Sequence, residues 1–178
     1  IFIKKDEYFN GNVYYVIEDN GNKHKYSVQD RHDKDEAALR LHKLNIKILK
    51  MIDSLHSSDP NHYGVKRLKN RYRTDILSEL HKGSDNTSYS VNKGEKIVVC
   101  LRSKEDYSFQ DENTIFFVVL HELAHIMTKS IGHKEEFWNN FRYLLKHCIE
   151  IKLYKYQDFN NKPEPYCGIK ITDTPYKM

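Results

Sequence analysis

Val118-Val119-Leu120-His121-Glu122-Leu123-Ala124-His125-Ile126-Met127 sets two histidines and a carboxylate inside an otherwise apolar run. The residues around and between them are uncharged and helix-compatible, so the run predicts a buried helix. Histidines four apart on a helix differ by about 40° in rotation and by one turn in height, so both rings can reach one ion. Zinc accepts imidazole nitrogen at about 2.0–2.1 Å. Glu122, directly after the first histidine, is placed to meet water held at the ion rather than the ion itself. There it can take a proton and pass it to a leaving amine. Without a metal, imidazoles and a carboxylate packed among Val, Leu, Ala, Ile and Met would be costly to bury. This HExxH pattern makes zinc the expected cofactor.

A catalytic zinc needs a third protein ligand and an open position. On an unbroken helix His133 would lie about 18 Å beyond His121 at 1.5 Å per residue, too far to share the ion. Gly132, just before it, supplies a helix stop that lets the chain turn back. The helix is therefore expected from near Asn113 to about Ile131, with Ile131-Gly132-His133 as a turn that delivers the third ligand. Glu135, Glu136 and Glu150 are rival ligands, and a histidine that only caps the helix end is the alternative role for His133.

Outward from this centre, Val13–Glu18 and Lys23–Val28 flank Asp19-Asn20-Gly21-Asn22 and predict a hairpin. Helical spacing follows from Asp33 through Leu55, and again from about Val65 to His81, with Leu68, Tyr72, Ile76, Leu77 and Leu80 on one face. Lys66, Arg67, Lys69, Arg71 and Arg73 give that second segment a basic run, which is either a solvated helix face or a DNA contact. Tyr89–Val91 and Lys96–Arg102 bracket Asn92-Lys93-Gly94-Glu95 as a second hairpin. A last helix is expected over about Lys134 to Ile151 with Phe137, Phe141, Leu144, Leu145 and Cys148 inward, and the proline-bearing tail from Gln157 reads as extended or looped. One α+β domain spanning 1–178 results: hairpin and helices over 1–83, edge hairpin and catalytic core over 84–151, extended tail over 152–178.

At 178 residues with 30% charged residues the chain can build a core without staples, which excludes fibrous and disordered classes. No apolar run approaches the roughly 20 residues of a membrane span. The net charge of +4 permits nucleic acid as a partner without requiring it. Cys100, Cys148 and Cys167 form no CxxC pair, and their odd number favours reduced thiols and an intracellular setting. Ile1-Phe2-Ile3 before Lys4-Lys5 reads either as a first strand or as the end of an apolar anchor removed from the chain.

His121-Glu122-x-x-His125 followed by Gly132-His133-x-x-x-Phe137 resembles the WLM and SprT-like (Spartan-type) zinc metalloproteases, and the apolar strand ending Cys100-Leu101-Arg102 is similar to the WLM pattern. The likeness covers roughly Lys96 to Ile149. It departs in spacing: seven residues separate His125 from His133, where the best-known WLM members have fewer and SprT-like members more. The run from His121 to Trp138 and the tail Tyr166-Cys167-Gly168 look most like WLM-like proteins of large DNA viruses. The resemblance implies a zincin-like fold, a small mixed sheet packed on the HExxH helix. It also implies proteolysis, in some relatives of proteins crosslinked to DNA.

The first expectation is therefore a zinc endopeptidase with His121, His125 and His133 on the metal, Glu122 as base then acid, and a polypeptide substrate added as a strand along the sheet edge. Tyr166 is a candidate donor to the oxyanion of the tetrahedral intermediate. Cys167 is a candidate apolar floor under the histidines, or a blocking zinc ligand. The alternative is a catalytically silent zinc module that binds nucleic acid or a protein partner. A zinc hydrolase of small peptides or amides is a third reading.

Overall fold

A computed structural model describes residues 11–178, so both readings of Ile1-Phe2-Ile3 lie outside the described residues. Strands β1 (Asn12–Asp19) and β2 (Asn22–Gln29) form the expected hairpin around Asn20 and Gly21, both at positive φ. Helix α1 (Lys34–Ser58) buries Leu41, Ile48, Met51 and Leu55 and packs on the sheet and on the helix that follows it. After it come α2 (Tyr63–Arg71), β3 (Leu77–Glu79), β4 (Tyr89–Val91), β5 (Lys96–Val99), α3 (Glu112–Met127) and α4 (Glu135–Glu150). The tail carries a hairpin, β6 (Glu164–Tyr166) and β7 (Ile169–Ile171). The α+β architecture matches the expectation. No helix among the described residues is long and apolar enough to cross a membrane.

The main sheet has the order β1-β2-β3-β5-β4, with β3 parallel to both neighbours and β4 antiparallel to β5 at the edge. The expected helix from Val65 to His81 is therefore too long. It stops at Arg71, and Leu77-Ser78-Glu79 becomes a central strand. Three residues buried on both faces have no visible alternation, and the apolar spacing of Leu77 and Leu80 continues the helical pattern by coincidence. The tail, read as extended or looped, carries two short extended strands. Cys167 and Gly168, both at positive φ, turn it into a tight hairpin.

Charge lies inside this sheet. Glu79, 2% exposed on β3, accepts from Arg102 Nε at 2.6 Å and from the Gln29 amide at 2.8 Å. Arg102 also donates to Asp33, at the start of α1, and its guanidinium lies over the Phe109 ring. Burial pushes the Glu79 carboxyl up, against the pull of the Gln29 amide and Arg102. Arg102→Leu is expected to cost about 3–5 kcal/mol, because it strands a buried carboxylate. Urea melts at neutral pH measure this loss. It should narrow on acidification, since protonated Glu79 carries no stranded charge.

The cysteines also depart from expectation. Cys100 and Cys167 form a disulfide with Cα atoms 6.2 Å apart, so two of the three thiols are not reduced. Only Cys148 is free, buried in α4, and burial pushes its thiol up to about 12. Pairing depends on distance in the fold, and 67 residues of sequence hide it. The cysteine argument for an intracellular setting loses its premise.

Candidate metal centre

Helix α3 begins at Asp111, whose carboxylate accepts from the Thr114 amide, and ends four residues earlier than expected. Thr128 leaves the helical conformation and its hydroxyl donates to the Ala124 carbonyl, while Asn140 of α4 donates to the same hydroxyl. Arg67 donates to the Ile126 carbonyl, setting a cation at the negative end of the helix. The chain then turns through Gly132 at φ 85, the glycine stop expected from the sequence, and delivers His133.

His121, His125 and His133 each present a ring nitrogen, and these atoms all lie within 4.8 Å of one another. The Nε2 atoms of His125 and His133 are 3.1 Å apart. Two ligands at 2.0–2.1 Å on a tetrahedral ion stand about 3.3 Å apart, so the pair fits one zinc. A metal needs neutral imidazoles. Burial drives His125 down to about 4, with His121, His133 and Lys93 adding to that pull against Glu122. Burial also lowers His133. Glu122 is 5% exposed, and its Oε2 lies 2.9 Å from His121 Nδ1. If that nitrogen donates, the lone pair of Nε2 is left for a metal.

Phe137 is the support that the sequence reading missed. Its fully buried ring lies 5.0, 4.3 and 4.8 Å, centroid to centroid, from His121, His125 and His133. Placed four residues after His133 in the first turn of α4, it floors the whole triad, the role expected of Cys167. Trp138 Nε1 donates to the His133 carbonyl and fixes that ligand's backbone. The motif Gly132-His133-x-x-x-Phe137 signalled these parts, but the length of the turn hid how they meet.

The other candidates go elsewhere. Cys167 is tied to Cys100, so it has no thiolate to offer a metal. Glu136 accepts from the Lys129 amide and the Ser130 hydroxyl, which clamps the ligand loop. Neither Glu135 nor Glu150 joins the histidine group among the described residues. Tyr166 is 1% exposed and donates its hydroxyl to the Cys100 carbonyl at 2.8 Å, with Ser88 Oγ at 2.6 Å. As placed, that hydroxyl is bonded to Cys100 and Ser88 and anchors the tail hairpin. In the basic run, Arg67 and Arg71 donate to backbone carbonyls of Ile126 and Lys93, and Lys66, Lys69, Arg71 and Arg73 are exposed.

Beside His121 opens a pocket of about 350 Å³, walled by Phe117, Trp138 and Phe141 and closed by Asp173, Thr174 and Pro175 of the tail. Nothing in the sequence linked these last residues to the histidines.

His121 and His125 on α3, with the buried Glu122 carboxylate between them and joined by His133 from the loop that follows, form a group able to hold a metal beside a small mixed sheet. Residues 61–176 match the family model described as the WLM domain, and the chain belongs to that family. The uncharacterized protein R325 of Acanthamoeba polyphaga mimivirus is 34% identical over 166 residues, covering 89% of this chain and 82% of that one. The uncharacterized protein 136R of Invertebrate iridescent virus 6 is 34% identical over 92 residues, 51% of this chain and 49% of its own. Both relatives come from large DNA viruses, as the sequence resemblance implied. Among solved structures, Wss1 from Saccharomyces cerevisiae superposes with a TM-score of 0.52 at 22% identity, over 71% of this chain and 88% of that one, a likeness of fold.

Proposed function

We propose that this protein is a zinc-dependent endopeptidase. The observation that carries the reading is the buried Glu122 carboxylate beside three convergent imidazoles. A silent zinc module has no use for that carboxylate, since three histidines already supply the metal's protein ligands. Bound there, zinc would polarise the scissile carbonyl and acidify a water molecule. Glu122 takes the water's proton on its carboxylate and hands it to the departing amine. Phe137 holds the three histidine rings in place. The free edge of β4 offers backbone amides and carbonyls to an extended substrate strand.

The test begins with protein dialysed against chelator. One equivalent of zinc is expected to bind and to restore hydrolysis of an unfolded protein. Zinc binding without hydrolysis would favour the silent module, and no zinc binding would end both readings. The pocket beside His121 adds a preference for substrates. Its aromatic walls suit a bulky apolar side chain next to the cut bond, worth about 1.5–3 kcal/mol when buried. Peptides with Leu or Phe at that position are expected to be cleaved about 10–100-fold more efficiently than those with Ala, read as kcat/KM.

DNA-associated proteins, including DNA-crosslinked ones, are the substrate class that the family resemblance adds to this proposal. Exposed Lys66, Lys69 and Arg73 are the surface that would meet DNA. If they do, added DNA raises cleavage of a DNA-binding substrate, and salt abolishes the gain.

A further inference from the structure

Two features of the site, the substrate edge and the ligand loop, meet at one side chain. The turn between β4 and β5 is fixed by its own bonds: Gly94 and Glu95 amides donate to the Val91 carbonyl, and Asn92 Nδ2 donates to Glu95. Asn92 and Lys93 both hold positive φ, 47° and 56°. Gly94 seats the turn on α3, where a Cβ would come 3.3 Å from Ile126 Cδ1, one residue past His125. From there Lys93 Nζ donates to the Ser130 carbonyl at 2.7 Å. Ser130 lies in the irregular segment between α3 and α4 that carries His133, the most exposed of the three ligands. Glu136 holds the same segment from the other side through the Lys129 amide and Ser130 Oγ. Arg71 completes the link by donating to the Lys93 carbonyl. Burial and the charges of Arg67 and Arg71 lower Lys93, while Glu136 opposes them.

We propose that Lys93 is a positioning residue that couples the β4 edge to the ligand loop, so that metal binding and strand addition reinforce each other. The inference rests on the zinc endopeptidase reading. Val91, the last residue of β4, stands two positions from Lys93. A peptide that pairs with β4 stiffens the turn, the turn holds Ser130, and Ser130 fixes the path to His133. By linkage, whatever factor zinc adds to peptide affinity, peptide must add to zinc affinity.

The test uses the full chain carrying Glu122→Gln, so that peptide binds without being cut. Zinc affinity is measured by competition with a chromophoric chelator, with and without an extended apolar peptide. Lys93→Met is expected to weaken zinc binding about 10–100-fold, the usual effect of losing a support of a metal ligand. It should also bring the mutual enhancement by zinc and peptide close to one. Lys93→Arg, which can still donate to Ser130, should recover most of both. Amide exchange across residues 128–134 should quicken in zinc-free Lys93→Met and in Glu136→Gln, a readout independent of activity. Zinc affinity and coupling unchanged in Lys93→Met would overturn the proposal while leaving the endopeptidase reading intact. A parent protein that binds no zinc would overturn both.

Discussion

Glu122→Gln is expected to lower turnover of an unfolded protein substrate by about 10²–10⁴-fold, the usual share of a general acid–base group. This corresponds to about 3–5 kcal/mol of barrier. Glutamine keeps the size of the side chain and an oxygen that can accept from His121 Nδ1, now 2.9 Å from the carboxylate. What it loses is a site for the proton. Zinc stoichiometry should therefore hold at one, and KM should change little, while kcat falls. Equal turnover by both proteins would remove Glu122 from the reaction.

The second large effect concerns the Cys100–Cys167 bridge. It closes a loop of 67 residues, and chain entropy over that length corresponds to about 4 kcal/mol of stability. At about 2–4 °C per kcal/mol for a domain of this size, reduction should lower the melting temperature by about 10 °C. A Cys100→Ser, Cys167→Ser double variant should melt at the lower temperature with or without reductant. The same melting point for oxidised and reduced wild type would overturn the expectation. Tyr166 still donates to Cys100, and the Cys167 amide still donates to Gln110. The tail hairpin should therefore loosen rather than detach.

The centre of this site was legible because its signals are local. His121, Glu122 and His125 lie within five consecutive residues of one helix, and Gly132 announces the reversal that brings His133 back. The two flanking hairpins were legible for the same reason, through Asn20-Gly21 and Asn92 to Glu95. The parts that stayed hidden depend on long-range contact. Leu77–Glu79 is a strand only because β2 and β5 lie on either side of it. Cys100 bonds Cys167, Lys93 bonds Ser130, and His121 and Pro175 line one pocket, each pair separated by dozens of residues with no repeating pattern to mark it. Tyr166 was singled out from a turn-rich segment, but its partners, Ser88 and Cys100, belong to the edge hairpin and the end of β5.

His121, Glu122, His125 and His133 all fall between the two bridged cysteines, so one covalent ring encloses the whole candidate centre. The proposed endopeptidase activity would also meet the chain itself, and exposed stretches such as Asn160 to Pro163 lie inside that ring. A cut there would leave both pieces joined. On a gel run without reductant the nicked molecule would travel as one chain, and only reduction would split it in two. Preparations judged intact by the first method could therefore be mixtures, and their specific activity should be compared under both conditions.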